Sequence, residues 1–220
     1  MVTIVCCTYN DSHFLPKCLE SCKNQDIEKE IIIVDDGSSK PILQEVLAEI
    51  EARPQMFRLI RHEKNSGLSA ARNTGIAAAK HEYVIPIDAD DWFHPNTIKT
   101  LYDAKENFDI VTGNCTDHGT YKPSISNGVL TEQKFRESNP LVCSSLFKKS
   151  IWEKVGGYMV RQGPHYEDWN FWARCYAAKA TFKYIDIDVY HHTSRADSML
   201  RILHPNGDFY RKLAVEGVFK

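Results

Sequence analysis

Three carboxylates, Asp88, Asp90 and Asp91, fall within four residues directly after the apolar run Tyr83-Val84-Ile85-Pro86-Ile87. The run has the length of a buried strand, so the acids sit where that strand must end. Like charges this close repel, and keeping all three ionised calls for something positive among them. A divalent cation with a phosphate on its far side meets that need, because hard cations bind through one or two carboxylates plus substrate phosphates. The plain alternative is a solvated acidic turn ahead of a helix opened by Pro95. A second acidic pair, Glu167-Asp168, precedes Trp169, Trp172, Ala173 and Tyr176, which with Tyr166 lie at helical spacing. A carboxylate in the first turn of a helix stays ionised and fixed in direction. That suits a base that removes a proton from a hydroxyl. The alternative is that the pair only complements the helix dipole; the aromatic stripe reads first as core, although Trp169 lies close enough to Asp168 to stack on a sugar ring.

The elements that must position these acids follow from periodicity. Val2-Thr3-Ile4-Val5-Cys6-Cys7 reads as a first strand ending in Thr8-Tyr9-Asn10-Asp11. A helix carrying Phe14, Leu15, Cys18, Leu19 and Cys22 on one face leads to a second strand, Ile31-Ile32-Ile33-Val34, which ends in Asp35-Asp36-Gly37-Ser38-Ser39. Continuous rather than alternating hydrophobicity means that both faces of these strands are covered, as in a parallel sheet. A helix from Pro41 to about Glu51, a strand from Met56 to Ile60, a helix from Ser66 to about Ala79 and the strand ending at Asp88 continue the pattern. This rhythm predicts a doubly wound, mostly parallel α/β sheet with helices on both faces. Ligands of such sheets sit outside the carboxyl ends of the strands, where each polar cluster falls.

Thr8, Tyr9 and Asn10 offer hydroxyls, an aromatic face and an amide to a base or ribose; an ordinary turn is the alternative. Asp35 or Asp36 offers a carboxylate to a base N–H or a ribose hydroxyl, with Gly37 allowing close backbone approach; a turn and helix cap explain the same residues. Asn65-Ser66-Gly67-Leu68-Ser69-Ala70-Ala71-Arg72-Asn73 is a capped helix start in which Gly67 lets a ligand approach and Arg72 is placed to reach a diphosphate. Alone, Gly67 reads equally as a packing residue and Arg72 as a surface charge.

Beyond the acidic loop, the pattern predicts a helix from Pro95 to about Asn107 and a strand over Asp109-Ile110-Val111-Thr112-Gly113. The segment to about Gly128 is weakly patterned. Leu141–Phe147 reads as a strand, Ser150 as the cap of a short helix ended by Gly156-Gly157, and Thr181–Ile185 as a further strand. His191 and His192 are adjacent, so on a strand they point to opposite faces. The tail from Asp208 to Lys220 reads as an amphipathic helix with Phe209, Leu213, Ala214 and Val218 apolar, packing on the domain or against another subunit. Sequence leaves the oligomeric state open, with a homodimer as one outcome.

At 220 residues and 43% hydrophobic composition, the chain suffices for one α/β domain with a proper core, expected to span 1–220. Its net charge of −2, with Lys and Arg scattered, points away from nucleic acid. No apolar run approaches bilayer-spanning length, and a first strand at Val2 leaves no room for a signal peptide, so a soluble, cytosolic protein is expected. Seven cysteines without paired Cys-x-x-Cys spacing read as reduced thiols, mostly core.

Together, Ile4-Val5-Cys6-Cys7-Thr8-Tyr9-Asn10, Ser21-Cys22-Lys23-Asn24-Gln25, Glu30 through Ser39, Asn65 through Asn73 and Ile87-Asp88-Ala89-Asp90-Asp91 resemble, in order, the nucleotide-binding half of family 2 glycosyltransferases of the GT-A fold. The resemblance covers about the first hundred residues. It implies residues 1–112 as a nucleotide-sugar half and 113–220 as an acceptor half with a smaller β subregion. It also implies a donor, most often a UDP-sugar, held by Thr8, Tyr9, Asn10, Asp35, Asp36, Gly67, Arg72, Asp88 and Ala89. Mn²⁺ or Mg²⁺ would sit on Asp90, with His192 favoured over His191 as a further ligand and a basic or hydroxyl residue of the stretch Val189-Tyr190-His191-His192-Thr193-Ser194-Arg195 meeting the diphosphate. Asp168 would be the base beside Glu167, with inversion at the anomeric carbon of the sugar and a carbohydrate or other hydroxyl as acceptor. Cys7 stands where the family usually has proline and Lys40 where an aspartate is common; neither supplies chemistry. The Gln-x-x-Arg-Trp motif of processive members is not found, which favours single addition. Two other readings are weaker. A nucleotidyltransferase would want a Gly-rich, Lys-containing loop after the first strand, and Thr8-Tyr9-Asn10-Asp11 is not one. A silent sugar-nucleotide-binding module has no need of Asp88, Asp90, Glu167 and Asp168 together.

Overall fold

A computed structural model describes residues 1–117, 119–122, 129–161, 163, 165–194 and 207–219. Arg195 lies outside them. The amino-terminal half alternates β1 (Val2–Thr8), α1 (Leu15–Lys23), β2 (Lys29–Asp35), α2 (Gln44–Ala52), β3 (Phe57–Arg61), α3 (Leu68–Ala78) and β4 (Tyr83–Asp88). There follow β5 (Trp92–Phe93), α4 (Thr97–Asp103), β6 (Ile110–Asp117), β7 (Gly119–Tyr121), α5 (Glu132–Glu137), β8 (Leu146–Lys148), α6 (Lys149–Val155), α7 (Glu167–Ala177), β9 (Phe182–His191) and α8 (Gly207–Val215). The strands form a single sheet in the order β3-β2-β1-β4-β8-β6-β9-β5, with β7 paired to β6. From β3 to β4 it is parallel, as the apolar runs require. Antiparallel pairing of β8 with both β4 and β6 then reverses the direction.

Register does the positioning. Thr8 pairs with Asp35, and Cys7 with Asp88, so three loops leave the sheet at one level. Side-chain alternation divides the strands between two cores. Ile4, Cys6, Ile31, Ile33, Ile85 and Ile87 face Leu15, Cys18 and Leu19 of α1 and Ile98 and Leu101 of α4. Val5, Ile32, Val34 and Val84 face Ala71 and Ile76 of α3 and Phe171 and Trp172 of α7. The buried Gln25 joins α1 to the next layer: its Nε2 donates to the His94 carbonyl, and its Oε1 accepts the N–H of Ile98 in the first turn of α4. All seven cysteines are free, six of them buried. No helix among the described residues is long and apolar enough to cross a membrane.

Several boundaries differ from the sequence expectation, each for a local reason. Strand β8 has only three residues, because Leu141–Ser145 forms a loop closed by the Ser145 hydroxyl, which donates to the Val142 carbonyl at 2.8 Å. Leu141 and Val142 are buried without being strand. Ser150 lies inside α6 rather than capping it, while the left-handed Gly156 does end that helix. Helix α3 begins after Gly67 rather than at Ser66, because the Ser66 N–H is taken by the Asp36 carboxylate. Strand β9 runs on to His191, and between the acidic loop and α4 a short β5 pairs with it. The tail does form a helix against α5 and α7, but Phe209 is 64% exposed and Ala214 makes the buried contact.

Two glycines are required by close approach. Gly37 has φ +70°, and a Cβ there would meet the backbone of Lys64 and Asn65. The approach it allows is therefore to the chain itself, not to a ligand. A Cβ on Gly75 would lie 2.4 Å from Cγ1 of Val5, so its absence sets how closely α3 rests on the sheet. Gly75→Val is expected to destabilise the fold by about 1–3 kcal/mol through overpacking, read as a lower midpoint in chemical denaturation.

Candidate active site

The loops leaving β1, β2 and β4 meet the start of α7 and the end of β9 around one cleft of about 850 Å³. Its lining includes Thr8, Tyr9, Asp36, Gly67, Arg72, Asp88, Ala89, Asp90, Glu167, Asp168 and His192. Asp90 and Asp168, far apart in the chain, therefore share one hollow. Asn10 and Asp35 do not line it. Asn10, in left-handed backbone, accepts the N–H groups of Ser39 and Lys40, and Asp35 binds the Ser38 N–H and Arg61. Both hold the loops from behind.

Arg72 occupies the centre. It is 1% exposed; Nη1 donates to Oε1 of Glu167 at 2.6 Å, and Nη2 to Oδ1 of Asp88 at 2.8 Å and to Sγ of Cys143 at 3.0 Å. These partners engage both Nη atoms of the side chain that the sequence places to reach a diphosphate, while its Nε is buried with no partner among the described residues. Its charge fixes the end of β4 against the first turn of α7. The next residue, Asn73, ties α3 to the backbone of Tyr158 through both amide atoms.

The side of the cleft formed by the loops after β1 and β2 is built around Asp36. Oδ1 accepts from the Ser66 N–H and lies 2.7 Å from Nδ1 of His62, and Oδ2 accepts the Gly67 N–H at 2.8 Å. A Cβ at Gly67 would meet nothing within 4 Å, so the approach to that backbone is open. Tyr9 presents a ring 44% exposed at the rim. The Thr8 hydroxyl is buried and has no hydrogen-bond partner among the described residues.

At the acidic loop, burial and the charges of Asp88 and Asp90 push the Asp91 carboxyl well above the usual carboxylate range. Its Oδ1 accepts the Thr193 N–H at 2.8 Å, while the Thr193 hydroxyl donates to the Asp90 carbonyl. His192 lines the cleft, with Nδ1 3.5 Å from Oδ2 of Asp117. His191 turns away and stacks on Trp92 at 4.0 Å. Among the described residues no three His, Cys, Asp or Glu side chains form a ready ligand set. The oxygen-rich donors, short of positive charge, do fit a hard cation that completes its shell with phosphate and water.

Asp168 opens α7. Oδ1 accepts the N–H of Trp169 at 2.7 Å and Oδ2 accepts Nδ2 of Asn139 at 2.8 Å. Its carboxyl is pushed up to about 7, chiefly by burial and then by Glu167, against the opposing pull of Arg72. Trp169, 3% exposed, donates from Nε1 to the Phe135 carbonyl, so its ring is core and not a free platform for a sugar. The residues that sequence reasoning passed over here are Asn139, Cys143, His62 and Thr193. Only Asn139, preceding Pro140, carried a local signal.

A parallel βα half whose strand ends face a helix-borne acid across one cleft defines a GT-A glycosyltransferase fold. Solved structures agree. Staphylococcus aureus TarS 1–349 in complex with UDP-GlcNAc superposes with a TM-score of 0.77 at 18% identity, over 97% of this chain and 65% of that one. The mannosyltransferase PcManGT from Pyrobaculum calidifontis, in complex with GDP-Man and Mn²⁺, gives 0.72 at 17% identity, over 91% and 59%. The chain belongs to glycosyl transferase family 2, whose profile matches residues 3–162. The putative glycosyltransferase EpsH of Bacillus subtilis is 42% identical over 98 residues, which are 43% of this chain and 27% of that protein. The chain thus spans under a third of that relative.

Arg72→Met is expected to cost about 3–5 kcal/mol, because it leaves the buried Glu167, and the partly buried Asp88, without their counter-charge. Denaturant titration measures the loss, and a cost below about 1 kcal/mol would mean that the bridge carries little of the fold.

Proposed function

We propose that this domain is a metal-assisted, inverting, single-addition glycosyltransferase. It moves a sugar from a nucleotide sugar of the UDP class to a hydroxyl acceptor in the assembly of a glycan or polysaccharide. The observation that carries this reading is the single cleft shared by Asp90 and Asp168.

In a direct displacement, the acceptor oxygen bonds to the anomeric carbon as the bond to the diphosphate oxygen breaks, and the hydroxyl proton goes to Asp168. A base is most effective when its pKa lies near the working pH, and Asp168 is pushed up to about 7. Its two fixed oxygens aim it. Glu167, held by Arg72, supplies the neighbouring charge that keeps the proton affinity of Asp168 high. Thr8, Tyr9, Asp36, Gly67 and Ala89 receive the nucleoside end. Asn10 and Asp35 act by shaping its loops, and Asp88 and Arg72 by tying the two halves together. A divalent cation, Mn²⁺ or Mg²⁺, held by Asp90 and His192 would neutralise the charge that grows on the leaving diphosphate.

Turnover is expected to rise with pH to a plateau, with a midpoint near the value of about 7 for Asp168, because only the ionised carboxylate accepts the proton. Asp168→Asn should remove that acid limb and lower kcat by about 10²–10⁴-fold, while donor affinity measured by calorimetry stays close to wild type. Near-normal turnover would remove Asp168 as the base. With Mn²⁺ present, Asp90→Ala should weaken UDP binding far more than uridine binding. Equal losses for the two ligands would rule out a cation between Asp90 and the diphosphate.

A further inference from the structure

The loop between α5 and β8 enters the cleft beside the acid of α7, and the side chain by which it meets that acid is Asn139. We propose that Asn139 is the positioning residue of the base: it holds the carboxylate plane of Asp168 and favours its ionised form, leaving the remaining lone pairs to face the acceptor. This rests on the assignment of Asp168 as base made above.

The geometry is specific. Nδ2 of Asn139 donates to Oδ2 of Asp168 at 2.8 Å, while the Trp169 N–H takes the other oxygen, so a bond at each end restrains rotation of the carboxylate. The amide cannot reverse freely, because its own Oδ1 accepts the Leu141 N–H. Pro140 confines the Asn139 backbone to extended conformations, and Leu141 and Val142 anchor the following turn in the core. A loop residue is thereby launched from a rigid base.

The charge balance explains the need. Asp168 is faced by Glu167 of its own helix, by Arg72 of α3, and by Cys143 and Tyr158 from the loops flanking β8 and α6. Glu137, His165 and Arg211 also line the cleft. Arg72 offers Asp168 charge without a hydrogen bond, since its Nη atoms go to Glu167, Asp88 and Cys143. Among the described residues Asn139 is the side chain that donates directly to the base, and a donor to the ionised form stabilises it.

The test compares pH–kcat profiles of wild type, Asn139→Ala and Asn139→Leu, which keeps most of the volume but has no donor. Removing the donor should move the acid limb up by about one unit. That lowers kcat about fivefold at pH 7, with nearly full recovery at pH 9 and with donor KM and calorimetric donor affinity unchanged. Asn139→Leu should move its limb in the same direction, because it fills the space without donating to the carboxylate. A residue that merely filled space would leave the limb of Asn139→Leu in place, and that result overturns the proposal. If the alanine variant fails to fold, the limb of the leucine variant alone separates the two outcomes. Failure of the underlying reading looks different: wild type would lack a limb near 7 and Asp168→Asn would retain turnover, with position 139 untouched.

Discussion

A buried guanidinium holds this cleft together. Arg72 is nearly inaccessible and meets two carboxylates borne by elements from opposite halves of the chain, Asp88 at the end of β4 and Glu167 at the start of α7. A buried pair of this kind gives little net stability over an apolar substitute, but it is costly to break and exacting in geometry. Its effect here is one of position. The acids of the β4 loop and the acid that follows Glu167 are set at a fixed spacing across the cleft, although the sheet alone would not relate them. Asn73 reinforces the same joint with neutral hydrogen bonds to Tyr158.

The rest of the architecture delivers residues to that joint. Parallel register brings Thr8, Asp35 and Asp88 to one edge, and Arg72 ties the start of α7 to the end of β4 there. Strand β9 then carries His192 and Thr193 to the acidic loop, where Thr193 bonds to both Asp90 and Asp91. Each loop is thus braced by another: Asn10 holds the turn after β2, and Asp36 holds the start of α3. Such mutual bracing lets loops carry a site with the precision of regular elements.

Much of this was legible in the sequence where hydrophobicity is continuous. Strands β1, β2 and β4 read as buried runs because helices cover both of their faces, and the polar clusters at their ends mark the cleft. Tertiary competition was not legible. Arg72 reads as a surface charge or a diphosphate ligand, and its carboxylate partners appear only in the fold; Trp169 reads as core that could also stack on a sugar, and its indole is bonded inside the core. Leu141–Phe147 has strand composition, yet the Ser145 hydroxyl closes a turn that the apolar pattern does not encode. Adjacent histidines could be sorted only as pointing opposite ways. The stack of His191 on Trp92 depends on β5, which is too short to announce itself.

The electrostatics of the cleft argue that it is built for a charged guest. Asp91 and Asp168 both bind protons more tightly in the folded chain than a free carboxylate does, through burial and through neighbouring acids. The sign of the linkage follows: above about pH 4, where the unfolded carboxylates have lost their protons, folding takes up protons, so stability falls as pH rises toward the folded-state values. At neutral pH the protein therefore carries a repulsion among acids that Arg72 only partly offsets. A guest that brings positive charge to the acidic loop and removes a proton demand from Asp168 relieves both. A metal-bound nucleotide sugar opposite an acceptor hydroxyl has that composition, which is why the arrangement that strains the cleft is the one suited to the reaction proposed for it.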